Sequence, residues 1–325
     1  MCPMCRSGLE CFVLPYDVLV IGRPSCDLVF TGLPSWPNVG REIFAQSLSV
    51  SAGGAFNAVA ALHRLGLRSG LVGVVGSDSW SERSLDAIRS EGVPTDLLLA
   101  LDRPLPSVSV CLTHAGDRGF VTYEPPAEDV RDAFIEHALD VVVRQCGGYL
   151  LCWLTDQLPA FAAAARARGM RVLVDCGWNE TWLASEQIRA LMPLADVVFA
   201  NEPEASMITG EADPLLAVRR LGELAPFVVV KRGVAGSSAV VEGREYHAPT
   251  EPVEVVDATG AGDCFSAGFL YGWHRGLAVE SCLRLGNICG GMSVAVPGGY
   301  AGAPTEAELL LRAQHCGISL VPAGA

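Results

Sequence analysis

Apolar residues recur along this chain in two rhythms. Some form short unbroken runs, and others return every three or four positions. The runs Asp17 to Gly22, Leu71 to Val75, Tyr149 to Leu154, Arg171 to Asp175, Val197 to Ala200 and Phe227 to Lys231 lack the in-out alternation of a half-exposed strand. They suit strands covered on both faces. Between them the helical rhythm predicts helices over Ala55 to Leu65, Trp80 to Ser90, Pro159 to Arg168, Leu215 to Leu224, Phe265 to His274 and Glu280 to Val294. Strands alternating with helices predict an α/β fold, a three-layer sandwich with a central, mostly parallel sheet.

Two segments break this order. Leu28 to Ser51 has no helical rhythm, and Ser107 to Tyr123 reads as two strands joined at His114-Ala115-Gly116-Asp117-Arg118. Both follow strands toward the C-terminal edge of the sheet, where open α/β folds bind ligands, so they are expected to form a small β lid. Exposed strand edges carrying Val108, Val110 and Leu112 invite pairing or burial, and a homodimer formed through the lids is expected.

The densest chemistry lies in the run Val253 to Phe269, where a short apolar strand is predicted to give way to Asp257-Ala258-Thr259-Gly260-Ala261-Gly262-Asp263 and then to a helix. Glycines let bare amides approach a ligand, and amides in the first turn of a helix have no intrahelical acceptor. The helix dipole adds to their attraction for an anion. Asp263, a carboxylate among such donors, repels a phosphoryl group unless it has a proton to take. It is therefore read as a general base for an attacking hydroxyl.

Composition narrows the partners. A net charge of −13 argues against non-specific binding to nucleic acid or to an anionic membrane. Half of the 325 residues are apolar, yet no apolar run approaches the length of a membrane span, and a cytoplasmic protein is expected. The twelve cysteines are scattered like small buried apolar residues. Cys2, Cys5 and Cys11 contain one C-x-x-C step without a second such step or a nearby histidine, so residues 1–15 are expected to be a poorly ordered extension. Residues 316–325 are expected to form a C-terminal tail. The dispersed His63, His114, His137, His247, His274 and His315 show no metal-ligand spacing. The chain has neither a G-x-x-x-x-G-K-[ST] loop nor a G-x-G-x-x-G after its first strand.

Four motifs complete the picture: Asp27 after the strand that ends Ile21-Gly22; Ser51-Ala52-Gly53-Gly54-Ala55-Phe56-Asn57; Asn201-Glu202-Pro203-Glu204; and the glycine-aspartate run. Together, from about Tyr16 to Arg312, they resemble the ribokinase-like (PfkB) carbohydrate kinase family. The resemblance implies a ribokinase-like domain over residues 16–315, with lid segments near 28–51 and 107–123, that phosphorylates a hydroxymethyl group at the expense of ATP with Mg²⁺. It makes Asp263 the catalytic base and the amides of Gly260, Ala261 and Gly262 an anion hole. It assigns Asp27, Gly53, Gly54 and Asn57 to the sugar, and Asn201, Lys231, Gly233, Gly236 and Asn287 to ATP. Glu204 would organise Mg²⁺ through water, with Glu202 facing solvent. Asp257, Thr259, Ser293 and Gly298 would hold K⁺, while Asp257 also reads as a cap of its own turn. Ala52 departs from the family's first glycine. Phe56 reads as core or as a stacking ring, Arg118 as a ligand contact or a turn residue, and Asn287 as a base contact or an ordinary helix amide. A nucleoside kinase is the alternative reading; a catalytically silent relative would be expected to lack Asp263.

Overall fold

The computed structural model describes residues 16–323 except 116, 126–127 and 146. The expectations for residues 1–15, including Cys2, Cys5 and Cys11, fall outside the described residues. Among the described residues thirteen strands form two sheets: β1 (Val18–Ile21), β2 (Pro24–Thr31), β3 (Ser47–Gly54), β4 (Ser69–Val75), β5 (Leu98–Ala100), β6 (Val108–His114), β7 (Asp117–Tyr123), β8 (Tyr149–Trp153), β9 (Arg171–Asp175), β10 (Val197–Asn201), β11 (Phe227–Lys231), β12 (Ser237–Val241) and β13 (Arg244–Ala248). The larger sheet runs β13-β12-β11-β10-β9-β8-β1-β4-β5. Its pairs are parallel except for the antiparallel β11-β12-β13 end.

Both faces of this sheet are covered. On one, helices Phe56–Arg64, Ala261–His274 and Val279–Ser293 bury Phe56, Phe269 and Leu285 with Val20 and Phe199 of the strands. On the other, helices Glu128–Arg144, Leu158–Ala167 and Pro214–Leu224 bury Val141, Phe161 and Leu221 with Leu19 and Val198. Side chains of successive strand residues enter opposite cores, so every position of β1, β4 and β10 except Asn201 is buried. This is the three-layer sandwich that the unbroken apolar runs predict.

The second sheet, β3-β2-β6-β7, is the lid. Its first strand begins earlier than expected: β2 starts at Pro24, directly after β1, so Asp27 lies within a lid strand. Residues 32–46 are a connection without a strand, which shifts the expected 28–51 segment to two strands flanking it. A second correction concerns the residues before the glycine-aspartate run. No strand forms there; residues 251–255 lack ladder partners, and Val253, Val255 and Val256 stay about 40% exposed. Apolar content alone does not make a strand where no neighbouring edge is available. The helix Glu128–Arg144 is an addition to the expected elements, its periodic Val130, Ala138, Val141 and Val142 all buried. The C-terminal segment is docked: Ser281 donates to the Ser319 carbonyl, and Ile318 is buried against the helix layer.

Candidate active site

Strand order reverses at β1, which has β8 on one side and β4 on the other. Open α/β sheets leave a crevice at the carboxyl ends of strands around such a point. Here Ile21, Trp153 and Asp175, at or near the ends of β1, β8 and β9, line a small recess together with Asp263 and Ser266.

Asp263 enters it from the first turn of helix Ala261–His274. The turn is set by Gly260, whose φ is +66° and whose missing side chain matters. A Cβ there would sit 1.9 Å from the Gly299 carbonyl oxygen, so only glycine permits this contact. Ala261 makes a long 3.4 Å bond back to the Ala258 carbonyl. The amides of Gly262 and Asp263 lie in the first turn, where no intrahelical acceptor exists.

Asn57 Nδ2 donates to Asp263 Oδ2 at 3.3 Å, which joins the second and fourth motifs across 206 residues. Burial, then the nearby Asp175, push the Asp263 carboxyl up to about 7, against the pull of Lys231 and Asn57. Asp27 is likewise raised to about 6, chiefly by burial, although Ser25 Oγ donates to its Oδ1 at 2.6 Å. Its carboxyl lies over Gly53, where a Cβ would come within 1.8 Å of Oδ2. Asp27 thus packs over Gly53, and Asn57 holds Asp263. Gly54, with φ +60°, instead faces the Arg23 carbonyl.

Lys231 ends β11, and its Nζ donates to Asp175 Oδ2 at 2.6 Å. Burial alone would depress its pKa, but Asp175, Glu204 and Asp263 more than offset that and raise it, so the ammonium stays charged. It also lies against Gly262, 3.2 Å from where a Cβ would stand. A cation therefore borders the glycine-aspartate turn. Asn201 and Glu204 form a reciprocal cap on helix Glu202–Thr209: Glu204 N donates to Asn201 Oδ1 at 2.9 Å and Asn201 N to Glu204 Oε2 at 2.8 Å. Burial and Asp175 raise the Glu204 carboxyl. Among the described residues no group of three His, Cys, Asp or Glu is placed to bind a metal directly.

The remaining expected residues divide. Asp257 accepts from Thr259 N, Thr259 Oγ1 and Gly298 N at 2.7–2.9 Å, so these three positions do meet. Ser293 lies nearby, its hydroxyl turned to the Gly290 carbonyl, while the Val294 carbonyl accepts from the amides of Val256 and Asp257. Asn287 Nδ2 donates to the Ala248 and Pro249 carbonyls and so fixes the wall of a cleft of about 350 Å³, also lined by Thr250, Arg284, Gly291 and Ile318. Gly236 serves the fold, since a Cβ there would meet the Ala248 carbonyl at 2.1 Å; Gly233 faces open space. Glu202 does not simply face solvent, because Arg232 Nε donates to it at 2.8 Å. Phe56 is core, edge-on to Tyr300. Arg118 is exposed and lies near the Phe120 ring, on the face that its cross-strand partner Thr113 shares with Cys111.

Sequence reasoning misses Asp175, Ser266 and Trp153. Ser266 Oγ donates to Asp175 Oδ2 at 3.2 Å, and Trp153 is 41% exposed at the crevice. An apolar run ending in a polar or aromatic residue at the carboxyl edge is the signal that points to Asp175 and Trp153.

Comparison with known proteins bears on this geometry. A family model described as pfkB family carbohydrate kinase matches residues 18–306. The ribokinase of Bacillus subtilis is 26% identical over 315 residues, covering 90% of this chain and 98% of that protein. The cytidine kinase of Thermococcus kodakarensis is 43% identical over 128 residues, 37% of this chain and 46% of that protein. Among solved structures, the adenosine kinase of Sinorhizobium meliloti superposes with a TM-score of 0.74 at 26% identity, covering 93% of this chain and 100% of that one. Arabidopsis thaliana ribokinase complexed with ribose and ATP gives 0.73 at 23%, covering 92% and 98%. With the matched region spanning nearly all of the sandwich and all four motifs, the chain belongs to the pfkB family of carbohydrate kinases.

Proposed function

We propose that this protein transfers the terminal phosphoryl group of ATP to a hydroxymethyl group of a sugar or sugar-like small molecule, with Asp263 as general base. The observation that carries the reading is the Asp263 carboxyl. It stands beside first-turn amides and the Lys231 ammonium, its pKa is raised to about 7, and Asn57 orients it. A base whose pKa lies near the operating pH combines availability with proton affinity. In the reaction the acceptor hydroxyl gives its proton to Asp263 as its oxygen attacks the γ-phosphorus, and ADP departs. Lys231 and the amides of Gly260–Gly262 offset the charge on the transferred group. Asp27 and Asn57 hold the acceptor, and the cleft beside Asn287 takes the base of ATP.

Asp175, Glu204 and Asp263 surround one ammonium, an excess of negative charge suited to Mg²⁺ held through water, with Asn201 fixing Glu204. The oxygen-rich turn of Asp257, Thr259, Ser293 and Gly298 suits K⁺. On the lid's outer face Leu28, Phe30, Leu48, Val50, Val110 and Val121 form an apolar patch. A second copy of the chain covers it through a two-fold axis, like against like.

A second reading, a nucleoside kinase, is favoured by the segment shared with a cytidine kinase and by the exposed Trp153 ring, which can stack on a base. ADP release measured over D-ribose, D-fructose, cytidine and adenosine separates the two. Turnover confined to nucleosides overturns the sugar reading, and ATP-dependent turnover of none overturns both.

A further inference from the structure

The lid's inner face contains polar groups that its own fold leaves unsatisfied. Directly paired residues of neighbouring strands point to the same side of a sheet. Ser51 pairs with Asp27 and Ser49 with Val29, while Asp27 pairs with Ser109 and Val29 with Cys111 on the other flank. Cys111 Sγ lies 3.3 Å from Thr259 Oγ1, so this is the face turned toward the glycine-aspartate turn. Ser51 Oγ also approaches Gly298, 4.0 Å from where its Cβ would stand.

On this face the hydroxyl oxygens of Ser49 and Ser51 are buried and have no hydrogen-bond partner, and neither does Asn57 Oδ1, which faces Gly299. Asn57 itself is only 4% exposed. Leaving a buried polar group unpaired is costly, so such atoms together mark a place where a ligand supplies the partners. The two serines are two residues apart on one strand, which sets them roughly 7 Å apart. That spacing reaches different hydroxyls of one small polyol. By contrast, Ser109 Oγ and Thr122 Oγ1, farther along the row from Ser51, satisfy each other at 3.0 Å.

We propose that Ser49 and Ser51 are specificity-determining residues that hydrogen-bond acceptor hydroxyls remote from the phosphorylated one, and that the acceptor carries several hydroxyls at this end rather than a nucleobase. The inference rests on the acceptor site proposed above. Both serines accept from and donate to the same hydroxyl-bearing chain, a role aliphatic residues cannot fill.

The test compares Ser51→Thr with Ser51→Val, and Ser49→Thr with Ser49→Val. Within each pair shape is nearly constant and only the hydroxyl differs. Acceptors are D-fructose, D-ribose, cytidine and adenosine, read by ADP release and by ligand-induced shifts in melting temperature. For the preferred sugar, each valine variant is expected to lose about tenfold in kcat/KM relative to its threonine partner, mostly through KM, as the loss of one hydrogen bond predicts. The melting shift with that sugar should shrink in parallel. Equal kcat/KM for the valine and threonine variants on the best acceptor overturns the inference, as does a wild-type protein that neither binds nor phosphorylates either sugar. Retained activity in Asp263→Asn alongside a valine-threonine difference instead overturns the base assignment and leaves the serine assignment standing.

Discussion

The two sheets of this molecule solve the problem of covering a β-sheet in opposite ways. The nine-stranded sheet buries both faces under helices, and its strands are continuous apolar runs. The four-stranded lid alternates. One face carries Leu28, Phe30, Leu48, Val50 and Val121, and the other Asp27, Ser49, Ser51, Ser109 and Thr122. The two lid faces differ in cover: Val121 is 67% exposed outside, while inside the unpaired Ser49 and Ser51 hydroxyls are buried. The large sheet is a self-contained platform, whereas the lid takes a different partner on each face only under the readings proposed above.

The largest effect is expected on the platform side. Asp263→Asn keeps the acceptor oxygen for Asn57 but cannot take a proton, so kcat should fall about 10²–10⁴-fold with ATP affinity retained. Steady-state kinetics together with equilibrium nucleotide binding check this, and turnover within a few-fold of wild type removes Asp263 from the chemistry.

On the lid's outer face, Val121→Lys places a charge on a side chain that is already exposed, so the monomer should fold normally. Sedimentation across a concentration series should show a wild-type dimer and a variant whose dissociation constant rises at least tenfold, since burying an unpaired charge in an apolar contact is costly. A wild-type protein that stays monomeric at high micromolar concentration, fully active, leaves the lid as an intramolecular cover.

Glu204→Gln can still accept from the Asn201 amide, so the helix cap survives while the charge is lost. The Mg²⁺ concentration for half-maximal rate should rise about tenfold. An unchanged Mg²⁺ titration separates Glu204 from the metal.

The smallest effect is a pH dependence. The folded pKa of Asp263 lies near 7, above its unfolded value of about 4. Within this window the folded state binds more protons than the unfolded chain. The stabilising contribution is fully present below about pH 4 and is lost as pH rises through about 7. Asp263→Asn, which cannot ionise, should melt higher than wild type at pH 8 and converge with it in acid. The same ionisation should make wild-type kcat/KM rise with pH through about 7. Calorimetry and pH-rate profiles read the two independently, and a melting difference that grows toward low pH contradicts the sign.

The sandwich was legible in the chain because burial on both faces is a local compositional demand: β9 and β11 occupy the predicted spans, and the six predicted helices form with shifts of a few residues. The candidate site was legible where chemistry concentrates in one motif, as in the glycine-aspartate run. What stayed hidden depends on contacts across distance. Asp175 reads as any strand-ending aspartate until Lys231, 56 residues later, closes on it. Ser49 and Ser51 read as ordinary strand serines until cross-strand register turns them inward beside Asp27. Val253 to Val256 carry a strand composition with no edge to pair with. The amino-acid order by itself determined which segments must be buried and which residues could bind phosphate or donate and accept protons, because both follow from side-chain chemistry and spacing. Only the tertiary structure decided which charges neutralise one another, which hydroxyls are left without partners and which carboxyl is pushed toward neutrality, because each depends on desolvation and on neighbours brought together from distant parts of the chain.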